Sequence, residues 1–162
     1  MKALWFLFFC RALIAADIDG FWKSVNETTG KPQCLVAIYE YEEEHYGRII
    51  GLYDKDGALI ETIYNPKGRA PGIVGTPFYC GMDLIWSLND AGSKFKGKII
   101  DPEKGNIYNA ELWTEENDLI VRGKLLFFGR NQRWRAMKSQ DFPKEFRIPD
   151  VKKFVPVIPT VN

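Results

Sequence analysis

The sequence predicts an all-β protein, an antiparallel meander-type closed barrel of eight or nine strands. Two observations carry this. Apolar and polar residues alternate with period two from Gly20 to Lys138, and no window of helical period competes. Turn-forming clusters then cut that alternation at short intervals, as they do where successive strands pair as hairpins. Closure is favoured over an open sheet because it leaves no unpaired strand edge.

Strands are expected at 20–25, 34–41, 46–53, 58–63, 82–89, 94–101, 106–114, 118–128 and 131–138. The turns between them hold glycine or proline: "YDKDG" ends at Gly57, "NDAGS" centres on Gly92, "DPEKGN" holds Pro102 and Gly105, and "FGRN" holds Gly129. Parity assigns Leu84, Trp86 and Leu88 to one strand face. Tyr108, Ala110 and Leu112 share another, and Leu119, Val121, Gly123 and Leu125 a third, each opposite a polar face. Two segments break the rhythm. Tyr64 to Met82 carries three prolines and four glycines, the composition of a lid or packed Ω-loop. Residues 139–162 hold four prolines, which exclude a central strand or a long helix. That Pro-rich tail is expected to pack on or extend from the barrel, anchored by Phe142, Phe146 and Phe154.

Residues 1–16 read as a signal peptide ahead of a barrel domain at 17–138. Lys2 precedes the apolar "ALWFLFFC", and small residues at Ala15 and Ala16 come before the polar "DIDG". The apolar stretch is too short to span a bilayer. Export removes Lys2 and Arg11, leaving 20 basic residues of the original 22 against 21 acidic ones, net −1. No basic surplus then remains to hold a phosphate backbone, which argues against nucleic acid. Cys10 leaves with the leader. The remaining pair, Cys34 and Cys80, is a disulfide candidate in an oxidising compartment, and such a bridge adds about 3 to 4 kcal/mol.

"GFWKS", "GKIIDPEKGNIYNAEL" and "DLIVRGKLLFFGRNQRWRAM" together resemble a bacterial family of small exported proteins of uncharacterised function with a lipocalin-like (calycin-type) β-barrel. The resemblance spans about residues 18 to 138. Its most specific element is the pattern of Asp101, Pro102, Gly105, Tyr108, Leu119, Arg122, Gly123 and Trp134. It implies an exported protein, in the periplasm or cell envelope of a Gram-negative bacterium. It also implies structural roles for Gly20 and Trp22, with Arg133 or Arg135 covering the Trp22 ring. From the residues themselves, Trp134 is expected beside Trp22 at a filled, closed end.

Catalysis finds little support in the residues. His45, the only histidine, follows "EEE" in an expected hairpin turn, and the serines have no histidine partner for a triad. Asp101 and Glu103 flank Pro102, where turn formation is the natural role. No metal set, cofactor or nucleotide motif is visible. The abundant aromatic residues point instead to a barrel that encloses a small hydrophobic or amphipathic molecule. Its expected wall is Leu84, Trp86, Tyr108, Leu112, Val121 and Leu125. No arginine or lysine is expected on those faces, and Lys67 and Arg69 are placed at the mouth for an acidic headgroup. The alternative is a barrel filled by the same side chains, binding a protein through its loop, its tail or an exposed "CLVAIYEY" strand. A void above about 300 Å³ separates the two readings.

Overall fold

The computed structural model describes residues 17–125 and 128–162. Residues 1–16, where a signal peptide is expected, lie outside them. Nine strands follow in chain order: β1 (Gly20–Val25), β2 (Pro32–Tyr41), β3 (Glu44–Tyr53), β4 (Leu59–Thr62), β5 (Asp83–Asp90), β6 (Phe95–Asp101), β7 (Asn106–Glu115), β8 (Asp118–Leu125) and β9 (Phe128–Met137). Their order in the sheet is β2-β1-β9-β8-β7-β6-β5-β3-β4, and β2 also pairs with β3. All pairs are antiparallel. The result is a closed barrel of eight strands with β4 as an extra strand. It joins β3 where β5 has left it: His45 to Arg48 pair with β5, and Gly51 to Tyr53 pair with β4. Among the described residues only two single 3-10 turns, Ser139–Asp141 and Val151–Lys153, add to the strands.

Two sequence expectations need correction here. Gly129 is a strand residue, paired with Lys124, because β8 ends at Leu125 and β9 begins at Phe128. Strand β2 is not a free edge, since Cys34 to Ile38 are paired on both sides, with β1 and with β3.

Strand alternation gives the barrel an inner and an outer layer. The inner core gathers Ile18, Trp22, Val36, Ile38, Ile85, Leu88, Phe95, Ala110, Leu112, Leu119, Val121 and Trp134. The outer wall is covered in turn by the long loop and the C-terminal segment. Ala70, Ile73, Cys80 and Met82 of the loop pack with Tyr39, Tyr46, Trp86 and Ile100. Phe142 meets Phe21 edge-on at 5.4 Å, and Phe154 meets Tyr39 edge-on at 5.2 Å.

A buried ion pair holds the tail in place. Asp83 is fully buried and accepts from Arg48 Nε and Nη2, at 3.3 and 3.2 Å, and from Tyr39 Oη. Arg48 also donates to the Val155 carbonyl and lies 4.5 Å from the centre of the Phe154 ring. Val157 and Asp83 exchange two bonds, the Val157 N–H to the carboxylate and the Asp83 N–H to the Val157 carbonyl. Burial pushes the Asp83 carboxyl above its ordinary range, against the pull of Arg48. With so many partners the buried charges are satisfied, the condition for keeping an ion pair out of water.

The loop is pinned by backbone. Gly72 N–H donates to the Pro102 carbonyl at 3.0 Å, and Val74 N–H to the Thr160 carbonyl at 2.8 Å. A Cβ at Gly72 would stand 2.3 Å from the Gly105 nitrogen, so this approach requires glycine. The loop, the hairpin between β6 and β7, and the tail thus make one packed layer.

Candidate functional site

The two ends of the barrel differ. The end carrying the β2–β3, β5–β6 and β7–β8 hairpins is filled. Ile18 is fully buried there, and its carbonyl accepts the Trp22 indole N–H at 2.9 Å. Phe95, Leu112 and Leu119 complete the packing. His45 belongs to this end, not to a turn. Its ring lies edge-on to Phe95 at 5.1 Å, and its Nδ1 stands 2.6 Å from the Asp19 carboxylate. That bond raises the His45 pKa above its ordinary value.

At the other end the same inward register carries smaller or more polar side chains, and a cavity of about 910 Å³ opens. Trp134 and Val121 lie deepest in its wall, with Ile49, Leu52, Leu84, Ile99 and Tyr108 around the sides. Tyr79 of the loop and Pro102 and Glu103 of the β6–β7 hairpin form one rim. Ser24, Gln33, Cys34, Arg130 and Gln132 form a polar arc on the opposite rim. Gly123 faces Arg130 across the β8–β9 ladder, and a Cβ there would find only Ile99 at 3.6 Å. Its lack of a side chain leaves space in the wall.

Residues 20–136 match the family described as an uncharacterized protein conserved in bacteria, DUF2147. The chain belongs to that family. A solved Helicobacter pylori protein described as belonging to the lipocalin family shares the fold of this DUF2147 chain. The two are 17% identical, with a TM-score of 0.61 over 78% of this chain and 87% of the other. No protein of curated function matches the sequence.

Of the wall residues expected from parity, the DUF2147 barrel brings Leu84, Tyr108 and Val121 to the cavity and directs two elsewhere. Trp86 lies on the outer wall under the loop, in the cluster of Tyr39, Tyr46 and Ile73. The cause is an irregularity in β5. Its register against β3 slips between Asp83 and Ile85, which parts Trp86 from Leu84. It slips again against β6 between Trp86 and Asn89, where Ser87 adopts a left-handed φ of 51°. Trp86 and Leu88 therefore fall on opposite faces. Leu112 points inward but is fully buried in the filled end. The Leu125 side chain lies outside the described residues.

Lys67 and Arg69 are not among the residues that line the cavity. The Glu61 carboxylate accepts both the Lys67 and Gly68 N–H groups, which fixes the local chain course. Arg69 lies over the Phe78 ring at 3.9 Å and donates to the Thr76 carbonyl, on the loop's exposed surface. A cation that does line the cavity is Arg130 of β9, a strand that carries none of the expected wall residues. Sequence parity could have found it: Trp134 faces inward, so Gln132 and Arg130 do too.

Trp22 also differs from what the resemblance implied. Its ring is held by Ile18, while Arg135 stands on the outer face and donates to Asp118 at 2.6 Å. Alternation requires this, because Ala136 is the cross-strand partner of Trp22 and residue 135 faces the other way. Gly20, at φ 139°, opens β1 in a conformation that side chains disfavour.

Cys34 and Cys80 are free thiols. Cys34 faces the cavity, its Sγ 3.0 Å from Ser24 Oγ, while Cys80 packs beneath the loop with Ala70 and Met82. Burial raises both: the Cys34 thiol moves up against a weaker pull from Ser24, and Cys80 is pushed up to about 12. Neither is a thiolate nucleophile at neutral pH. Among the described residues no group of three or more His, Cys, Asp or Glu side chains could hold a metal ion.

Proposed function

We propose that this protein is a non-catalytic, exported carrier or sensor of a small hydrophobic or amphipathic molecule at the bacterial cell envelope. The observation that carries the reading is the cavity of about 910 Å³, apolar in depth and polar at one rim. Its volume lies at the upper end of the range of small-molecule pockets, roughly 300–1,000 Å³. Burial of apolar ligand surface supplies the affinity, at about 25 cal/mol per Å² before association costs. Export rests on the leader, and removing residues 1–16 leaves Asp17 at the start of the segment that plugs the filled end. Native mass spectrometry of protein purified from its own cell tests the ligand: a retained lipid-sized adduct is expected. An adduct-free protein that also binds no apolar probe would refute it. N-terminal sequencing of the same sample tests export, with a start at Ala16 or Asp17 expected.

A second reading has its own observation. Val74, Val155, Val157 and Ile158 are 47–60% exposed, an apolar strip where the loop meets the tail. A protein partner docking there is the alternative to ligand carriage.

A further inference from the structure

The polar arc of the rim is more than an edge. A second hollow of about 130 Å³ adjoins the cavity, lined by Glu27 and Thr28 of the β1–β2 turn and sharing Gln33, Arg130 and Gln132 with it. Deep apolar space thus continues into a small polar annex through three shared side chains.

The annex has a sign. The Trp134 indole N–H donates to Gln132 Oε1 at 3.1 Å. An indole nitrogen is a donor only, so the Gln132 oxygen must face it and the amide NH2 is left for another acceptor. Arg130 offers guanidinium donors beside it. Among the described residues its ion-pair partner is Glu27, 3.8 Å away, and the Arg130 side chain is 78% exposed. A contact of that length and exposure holds the arginine weakly. The acids of the other rim repel an anion: Glu103 lines that side, and Asp101 is engaged in its turn through the Glu103 and Lys104 N–H groups.

We infer that Arg130 and Gln132 form an anion-selective head site, and that the cavity takes an amphiphile with a single small anionic head such as a carboxylate. The head sits between the guanidinium and the Gln132 amide, and the body runs past Gly123 and Val121 to Trp134. This rests on the cavity reading above and adds the charge of the ligand to it.

Dodecanoate and dodecanol, equal in chain length and differing in head charge, test it. Binding to the protein lacking residues 1–16 is read by tryptophan fluorescence at about pH 8, where the acid is ionised. The expected result is a dodecanoate preference of about tenfold, the scale of one charge-assisted contact. Arg130→Gln should abolish the preference, lowering dodecanoate affinity by about tenfold more than dodecanol affinity. Gln132→Glu keeps an oxygen for the Trp134 N–H and adds a negative charge, so it should weaken dodecanoate more than dodecanol. Equal binding of the two probes by the native chain, or a preference that survives Arg130→Gln, would overturn the head site and leave the cavity reading standing. If neither probe binds, the cavity reading falls and the head site with it.

Discussion

The filled and hollow ends of this barrel are built by the same eight strands but differ in backbone and side chains alike: β3 leaves β5 after Arg48, and the inward residues of β1, β8 and β9 grow smaller or more polar toward the mouth. Trp22 and Ser24 are successive inward positions of β1, paired with Val36 and Cys34. Leu119, Val121 and Gly123 descend in volume along β8 from the plug to the mouth, while Trp134, Gln132 and Arg130 grow polar along β9. A barrel of eight strands is narrow enough for large side chains to fill, so emptiness has to be written in position by position. Here it is written in Ser24, Cys34 and Gly123.

The largest expected effect comes from emptying the filled end. Trp22→Ala removes a buried ring and its bond to Ile18, and should cost about 3 to 5 kcal/mol. A fall in melting temperature of several degrees or more is expected, and unchanged melting with altered binding would contradict the assignment. The reverse experiment fills the hollow end. Gly123→Leu has no positive φ to fight and open space ahead of it, so stability should change by about 1 kcal/mol or less. Apolar probe binding should weaken at least about tenfold, near 1.4 kcal/mol, as measured by fluorescence titration.

Smaller effects sharpen the contrast. Alkylation of the folded protein should reach Cys34 before Cys80, and an apolar probe should slow that reaction; two free thiols are expected in the denatured chain lacking residues 1–16. At the plug, the raised His45 pKa makes stability depend on pH. The contribution is full below about 6.5, the unfolded value, and is lost as pH rises through the higher folded value. Asp17, Asp19 and Glu40 all favour the protonated ring. Because His45 and Asp19 are partly exposed, the change is about 1 kcal/mol or less. Melting temperature should fall slightly between about pH 6 and pH 8, and Asp19→Asn should flatten that slope.

All nine strands are legible in the sequence, because period-two alternation is local and glycine- and proline-rich turns punctuate it. The site is half legible. Parity places Leu84, Tyr108 and Val121 on the wall but fails at Trp86, since nothing local marks where β5 slips. Placing a turn at Gly129 hid the inward run of Arg130 and Gln132, although Trp134 had set its phase. The covering layer is illegible for another reason. Arg48 and Asp83 lie 35 positions apart and Arg48 and Val155 107 apart, so no pattern in either neighbourhood announces their meeting.

The contact between Gly72 and Gly105 sets how this molecule can vary. Two main chains touch there without side chains between them, so the spacing of the loop and the β6–β7 hairpin is a property of peptide geometry. Tyr79, Pro102 and Glu103, which form that rim of the cavity, are then free to be exchanged for other chemistries without moving the frame. Relatives that keep both glycines can diverge in what they admit while keeping the same doorway. A relative that has lost either one must have rebuilt the entrance itself.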